Sequence, residues 1–217
     1  MNTEFLQRYF VAGSQNFPDL TLPECEGRIA LMMQSGITAY QFREKNPTLS
    51  TDEKQALAMR LRAKARELAV PFIVDDDVAL AIAIEADGIH VGQSDTPVKT
   101  IRARTHKPFI IGWSVNRLDE AKIGEELSEI DYFGIGPIFP TQSKENPKPT
   151  LGMAFIQTLR KAGITKPLVA IGGVKLEHVK TLRKYGADGI AVITAISQAK
   201  DIKASTKALK EASGCNH

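Results

Sequence analysis

Residues 37–53 read ITAYQFREKNPTLSTDE, which is a short apolar run, a charged turn and the start of a helix. The apolar run predicts a strand over 39–42. Ser50 and Glu53 have the spacing of a capping box, which predicts a helix that continues to about residue 68. A strand that leads directly into a helix is one βα unit, and repeated units of this kind build parallel sheets.

The same unit recurs along the whole chain. Eight short apolar runs predict strands over 9–12, 39–42, 72–74, 88–91, 109–114, 132–135, 168–171 and 189–192, each followed by a helical pattern. The runs are continuous rather than alternating, which is typical of strands buried on both faces. No linker divides the 217 residues, so we predict one α/β domain over 1–217, a (β/α)8 TIM barrel. A doubly wound sheet is the alternative, but no Gly-x-Gly-x-x-Gly motif follows the first strand.

The composition is that of a soluble globular protein, with 43% hydrophobic and 24% charged residues. A net charge of +3, with scattered lysines, does not indicate a nucleic-acid partner. Cys25 and Cys215 form no disulfide framework, so we expect a cytoplasmic protein. Neither a signal peptide nor a membrane span is expected. We expect small-molecule partners, and the sequence is compatible with a homo-oligomer without specifying one.

The stretch at 41–45 is a candidate anion site, because the active site of such a barrel lies at the carboxyl ends of the strands. Side chains alternate along a strand, so Gln41, Arg43 and Lys45 share one face and Phe42 and Glu44 the other. An amide and two cations suit a phosphate or diphosphate. The alternative is a basic loop that is only solvated.

A second candidate anion site follows the last two strands. Gly172-Gly173 and the turn Ile193-Thr194-Ala195 can present backbone N–H groups to a phosphate. Barrels of this kind often bind phosphate at these two loops. The alternative for the glycine pair is a tight turn that needs positive φ angles.

A metal site is predicted where Asp76 and Asp95 follow neighbouring strands. Mg²⁺ is commonly held by one or two carboxylates, with water and substrate phosphate oxygens completing its shell. Helix N-capping is the alternative for these aspartates, and it is the role we expect for Asp77. The histidines lack zinc-ligand spacing, and His90 is expected to fill the barrel rather than act as a base.

The long loop over 136–152 carries Thr141, Ser143 and Lys144, whose hydroxyls and ammonium can close over a phosphate; the alternative is a surface loop. No Ser-His-Asp or Cys-His arrangement indicates acyl transfer. A phosphate site beside a Mg²⁺-diphosphate site, without an evident base, suits displacement of a diphosphate leaving group. Charge stabilisation would then be the main contribution of the protein.

Five segments together resemble the thiamine-phosphate synthase (thiamine-phosphate pyrophosphorylase) family. They are QFREK at 41–45, IVDDDVALAIAIEADGIHVGQSD at 73–95, GPIFPTQSK at 136–144, IGGV at 171–174 and GIAVITAIS at 189–197. The resemblance implies a transferase that joins 4-amino-2-methyl-5-hydroxymethylpyrimidine diphosphate to thiazole phosphate and releases pyrophosphate and thiamine phosphate. It also implies a Mg²⁺-assisted dissociative mechanism, in which pyrophosphate leaves before the thiazole nitrogen attacks.

The resemblance also assigns roles to individual residues. The pyrimidine diphosphate is expected to contact Gln41, Arg43, Lys45, Asp75, Ser114 and Lys144, and the candidate catalytic residues are Arg43, Lys45, Ser114 and Lys144. The thiazole phosphate is expected to contact Thr141, Ser143, Gly173, Ile193 and Thr194. Asp76 and Asp95 are the expected Mg²⁺ ligands.

Three positions depart from the family pattern. Asp75 stands where the family usually has Asn, and a third carboxylate should repel a diphosphate unless it adds metal affinity. Thr194 stands where Ser is usual and keeps the hydroxyl. Asn116 stands where a His is common, and that His is the suggested proton-transfer residue of the related thiazole tautomerase. A tautomerase-like paralogue and a catalytically weak protein that binds thiamine phosphate are the alternative functions.

Overall fold

The computed structural model describes residues 3–105, 108–141, 148–199 and 201–214. Eight parallel strands form a closed barrel in chain order. They are β1 Arg8–Ala12, β2 Ala39–Phe42, β3 Phe72–Asp75, β4 Gly88–Val91, β5 Ile110–Val115, β6 Tyr132–Ile135, β7 Leu168–Ala170 and β8 Gly189–Val192. Because β1 pairs with both β2 and β8, the sheet is closed. The predicted (β/α)8 barrel is therefore confirmed, and the alternative of a doubly wound open sheet is wrong.

The helices of the described residues lie outside the strands. They are α1 Leu22–Gln34, α2 Thr51–Glu67, α3 Val78–Ala83, α4 Val98–Arg104, α5 Leu118–Glu125, α6 Ala154–Lys161, α7 Val179–Lys184, α8 Thr194–Ser197 and α9 Ile202–Ser213. The predicted capping box of α2 is present, because the Ser50 N–H donates to Glu53 Oε2 at 2.9 Å and the Glu53 N–H donates to Ser50 Oγ at 3.2 Å. None of the described helices is long and apolar enough to cross a membrane.

Two layers of buried side chains hold the barrel together. The larger layer lies between strands and helices and includes Phe10, Phe72 and Leu57, all fully buried. The smaller layer fills the barrel itself, with Ile73 and Val169 among its members. Burying a large apolar side chain stabilises the fold by roughly 1.5–3 kcal/mol. The apolar filling of the barrel gives way to polar side chains at the carboxyl ends of the strands, where the cavity opens.

Candidate active site

A cavity of about 350 Å³ opens at the carboxyl ends of the strands. Most of the predicted site residues line it, namely Gln41, Arg43, Lys45, Asp75, Asp76, Asp95, Ser114, Thr141 and Ile193. Gly173 and Thr194 follow the lining residues Gly172 and Ile193 directly in the chain. Ser143 and Lys144 lie outside the described residues, so their predicted contacts stay predictions.

The two faces of β2 and the turn that follows it have different roles. Gln41, Arg43 and Lys45 face the cavity. Glu44 is buried on the other face, where its carboxylate accepts the N–H groups of Ser14 at 2.8 Å and Asn46 at 2.9 Å. The predicted division of this stretch into two faces is therefore confirmed, and Glu44 anchors the loops around the site.

The carboxylate of Asp75 lies between the two cations that follow β2. Its Oδ2 is 3.3 Å from Arg43 Nε and 3.6 Å from Lys45 Nζ. The acid therefore offsets part of the positive charge that a bound anion would meet. The predicted contact of Asp75 with the pyrimidine diphosphate stays a prediction.

Asp76 and Asp95 meet at the edge of the cavity, as predicted from their positions after neighbouring strands. Asp76 has a φ of +61°, and its N–H donates to the His90 carbonyl at 2.9 Å. Its carboxyl group lies within hydrogen-bonding distance of Asp95 and 3.0 Å from Lys45 Nζ. The other carboxyl, that of Asp95, accepts the Gly92 N–H at 2.6 Å.

The environment of Asp76 keeps its carboxyl group ionised. Burial acts to raise its pKa, but the hydrogen bond and charge of Lys45, with the neighbouring Asp95 carboxyl, outweigh burial and lower the pKa below its ordinary value. Across the described ranges, no cluster of three or more His, Cys, Asp or Glu side chains could hold a metal ion. A pair of carboxylates at an open cavity fits Mg²⁺, which takes its remaining ligands from water and phosphate.

Asp77 has a separate, structural role. Its Oδ1 accepts the Leu80 N–H at 3.0 Å, and its Oδ2 lies 2.8 Å from Lys54 Nζ. The predicted N-cap is therefore confirmed for Asp77, which caps α3 and ties that helix to α2.

The turns after β7 and β8 leave backbone donors available. Gly172 and Gly173 have φ angles of +93° and +60°, so the tight turn expected for a glycine pair is present. A side chain at Gly172 would collide with Pro137, since its Cβ would lie 2.6 Å from the Pro137 Cα. In the described part of the chain, the N–H groups of Gly172, Gly173, Ile193 and Thr194 donate to no protein acceptor. The tight turn and the predicted anion site are therefore compatible.

Several lining residues were not predicted from the sequence. The hydroxyl groups of Tyr9 and Tyr132 lie beneath the cavity, and Lys148 borders it. The Asn116 side-chain amide donates to the Gly136 carbonyl, and its oxygen accepts from Lys148 Nζ. Both tyrosines lie within apolar runs, and their inward position in each strand was the only available signal.

Comparison with known proteins agrees with this geometry. The family profile described as "Thiamine monophosphate synthase" matches residues 8–196. The chain belongs to the thiamine monophosphate synthase family.

Curated and structural relatives extend the match to nearly the whole chain. A "Thiamine-phosphate synthase" of Haemophilus influenzae (strain PittGG) is 66% identical over 216 residues, 97% of this chain and 96% of that protein. One of Actinobacillus pleuropneumoniae serotype 7 (strain AP76) is 49% identical over 212 residues, 95% of this chain and 97% of that protein. The structure of "Thiamine phosphate pyrophosphorylase from Pyrococcus furiosus" has a TM-score of 0.83 at 31% identity and covers 97% of this chain and 96% of its own.

Membership of the thiamine monophosphate synthase family makes the chain a transferase of thiamine biosynthesis. The two alternatives, a tautomerase-like paralogue and a catalytically weak binding protein, are not favoured.

Proposed function

We propose that the cavity binds 4-amino-2-methyl-5-hydroxymethylpyrimidine diphosphate beside thiazole phosphate, and that the pyrimidine-methyl group moves to the thiazole nitrogen. Pyrophosphate and thiamine phosphate are the products of this thiamine-phosphate synthase reaction. The observation that carries the proposal is the presence of two separate groups of anion-binding donors in one cavity. The cations that follow β2, Arg43 and Lys45, form one group, and the backbone N–H groups after β7 and β8 form the other.

Arg43 and Lys45 bind the diphosphate in this proposal and stabilise its charge as it leaves. Burial lowers the pKa of Lys45, but the hydrogen bond from its ammonium to Asp76 and the charge of Asp75 outweigh burial and raise the pKa above its ordinary value. The ammonium is therefore charged at neutral pH. Gln41, Ser114 and, from the loop over 136–152, Lys144 complete the diphosphate contacts. Preorganised charge of this kind commonly contributes most of a rate enhancement.

Asp76 and Asp95 would hold Mg²⁺. When bound, this ion supplies Lewis-acid stabilisation of the diphosphate oxygens. The carboxylate pair already attracts a cation, because Lys45 Nζ lies 3.0 Å from Asp76 Oδ2. Asp75 adds a third negative charge nearby. It offsets part of the positive charge of Arg43 and Lys45, which weakens their attraction for the diphosphate.

The thiazole phosphate binds the N–H groups of Gly173, Ile193 and Thr194, with the hydroxyls of Thr141 and Ser143 closing over it. Its ring nitrogen attacks without first losing a proton, so the reaction needs no general base. In the proposed dissociative displacement, pyrophosphate departs first and the cavity holds the nucleophile in place.

A steady-state assay with both substrates and Mg²⁺ tests the proposal. We expect thiamine phosphate and pyrophosphate in equal amounts, and no product when either substrate is omitted or the metal is chelated. Tight binding of thiamine phosphate without turnover would instead support the binding-protein alternative. Isomerisation of a thiazole phosphate in the absence of the pyrimidine substrate would support the tautomerase alternative.

A further inference from the structure

A row of five polar side chains crosses the barrel beneath the cavity, each from a different strand. Gln41 Nε2 donates to the Tyr9 hydroxyl at 3.0 Å, and the Tyr9 and Tyr132 hydroxyl oxygens are 2.9 Å apart. The Tyr132 hydroxyl lies 3.0 Å from His90 Nδ1, and His90 Nε2 lies 2.9 Å from Ser114 Oγ. The row therefore connects two predicted substrate contacts, Gln41 and Ser114, which come from β2 and β5.

The surrounding barrel is shaped to hold this row. Tyr9 and Tyr132 are each 1% exposed, and burial raises the pKa of both phenols, so they keep their protons. A side chain at Gly112 would overlap the Tyr132 ring and the His90 imidazole. At Gly134, a Cβ would lie 2.8 Å from His90 Cε1. The absence of a side chain at Gly112 on β5 and at Gly134 on β6 therefore leaves room for the Tyr132 and His90 rings.

The distances alone allow either direction for these hydrogen bonds, and the burial of the two tyrosines favours one of them. An amide nitrogen only donates, so the Tyr9 oxygen accepts from Gln41. If the Tyr9 oxygen also accepted from Tyr132, the buried Tyr9 proton would have no acceptor among the described residues, so we assign that proton to Tyr132. The Tyr132 proton then goes to Nδ1 of His90. In this direction Nδ1 of His90 accepts, and Nε2 carries a proton and donates it to Ser114 Oγ. The Ser114 proton is left for a partner outside the row.

The other end of the row is fixed in the same way. Gln41 is 5% exposed and lines the cavity. Because its Nε2 is used by Tyr9, its carbonyl oxygen remains for a ligand, and no hydrogen bond in the described part of the chain uses that oxygen. Tyr9 and Tyr132 have one hydroxyl proton each, so when the Tyr9 proton turns toward Gln41, the Tyr9–Tyr132 bond is kept only if Tyr132 donates to Tyr9.

We propose that Tyr9 and Tyr132 are positioning residues, which make Gln41 present an acceptor and Ser114 a donor to the pyrimidine diphosphate. The identity of the ligand rests on the proposed function, whereas the direction of the row does not. An aminopyrimidine diphosphate has the complementary groups: an amino donor for Gln41 and ring-nitrogen or phosphate acceptors for Ser114.

Nitrogen NMR of ¹⁵N-histidine-labelled protein tests the direction without requiring turnover, with the His90 signals assigned by their loss in His90→Gln. We expect the wild-type ring to carry its proton on Nε2. In Gln41→Glu, with Arg43 and Lys45 favouring the ionised acid, the carboxylate accepts from Tyr9. The row then reverses, and the His90 proton moves to Nδ1. Gln157→Glu, the same change on the exposed surface of α6, should leave His90 unchanged. A wild-type proton on Nδ1, or an unchanged tautomer in Gln41→Glu, would overturn the proposal.

Steady-state kinetics of Tyr132→Phe test the positioning role. This change removes two hydrogen bonds of the row, those of the Tyr132 hydroxyl with Tyr9 and His90. We expect the KM for the pyrimidine diphosphate to rise roughly two- to tenfold, equivalent to one weakened ligand hydrogen bond of about 0.5–1.5 kcal/mol, and the KM for thiazole phosphate to stay unchanged. Tyr40→Phe is the matched control, because Tyr40 is fully buried and donates to the Ala12 carbonyl at 2.9 Å outside the row. Thermal melts confirm that both variants are folded.

Two kinetic results would contradict the positioning role: an equal change of both KM values in Tyr132→Phe, or the same selective change in Tyr40→Phe. The failure of the two proposals can be told apart. A chain without synthase activity would still give the tautomer result. If the wild-type enzyme is active but the His90 tautomer stays unchanged in Gln41→Glu, the proposal about the row is contradicted and the proposed function is not.

Discussion

Three consecutive aspartates show how much of the site is decided by neighbours rather than by residue type. Asp75 pairs with the cations that follow β2, Asp76 meets Asp95, and Asp77 caps α3. Asp75 and Asp76 share Lys45 as a partner, but Arg43 lies beside Asp75 and Asp95 beside Asp76. Asp77 pairs with Lys54 instead. Substitution of each one should therefore have its own measurable effect.

The first such effect concerns the charge of Asp75. In Asp75→Asn the amide oxygen can still accept from Arg43, but the negative charge beside the diphosphate is removed. We expect kcat/KM for the pyrimidine diphosphate to stay the same or rise, because Arg43 and Lys45 are then less neutralised. Steady-state kinetics measure this, and a large loss of activity would show that the carboxylate has a task of its own.

The second effect concerns the metal site. Asp76→Ala removes one of two carboxylates, so we expect loss of Mg²⁺-dependent turnover by at least roughly a hundredfold, the scale seen when one preorganised electrostatic group is removed. Titration of the activity with Mg²⁺ measures it. Asp77→Ala is the control, one residue away, and should keep its dependence on Mg²⁺. Undiminished Mg²⁺-dependent turnover in Asp76→Ala would refute the ligand role.

At the scale of the element, the third effect is on stability. Burial acts to raise the pKa of Asp77, but the Lys54 hydrogen bond and the Leu80 N–H outweigh it, so the folded-state pKa is lowered. A lowered pKa stabilises the fold above the unfolded pKa of about 3.9, and that stability is lost as pH falls through the folded-state value. Asp77→Ala should cost about 1–2 kcal/mol at pH 7.

The pH dependence separates this capping role from a general packing defect. The free energies of unfolding of wild type and Asp77→Ala, measured with denaturant, should differ by a constant amount between about pH 6 and 8. This difference should narrow below about pH 4, where the carboxyl group of the unfolded chain becomes protonated, and should stop changing once the folded-state carboxyl is protonated as well. A difference in the free energy of unfolding that persists unchanged at low pH would mean that the charge of Asp77 does not contribute to stability.

The elements that the sequence predicts are those with a local signal. Continuous apolar runs identify all eight strands, and Ser50 with Glu53 identifies the start of α2. The helix α8 was not predicted, because four residues are too few to show a helical period. The segment predicted as one helix over 176–185 is instead a 3-10 turn, Leu176–His178, followed by α7.

The polar row was missed for a different physical reason. Tyr9, Tyr132 and His90 each fit an apolar strand, and only barrel closure brings their side chains together. The pairing of Asp75 with Arg43 was missed similarly, since it depends on side-chain conformations that no spacing specifies. The residues with a charge or a glycine at a strand end could be predicted, whereas the contacts between strands could not.

At the scale of the whole molecule, closure of the barrel brings distant segments into one cavity. Because β1 pairs with β2 on one side and β8 on the other, the cations after β2 lie near the backbone donors after β8, about 150 positions later in the chain. The two groups nevertheless remain separate, one with charged side chains and one with bare N–H groups. In the proposed reaction, this separation lets the cavity distinguish a diphosphate from a monophosphate substrate.

A crossed measurement of KM in two variants tests this division most directly. Lys45→Ala removes a cation of the diphosphate side, and Gly173→Ala disturbs the positive-φ turn of the monophosphate side, where a Cβ would collide with the loop after β6. We predict that Lys45→Ala raises the KM for the pyrimidine diphosphate alone, and that Gly173→Ala raises the KM for thiazole phosphate alone. Equal changes in both KM values in each variant, or the reverse assignment, would contradict the two-site account.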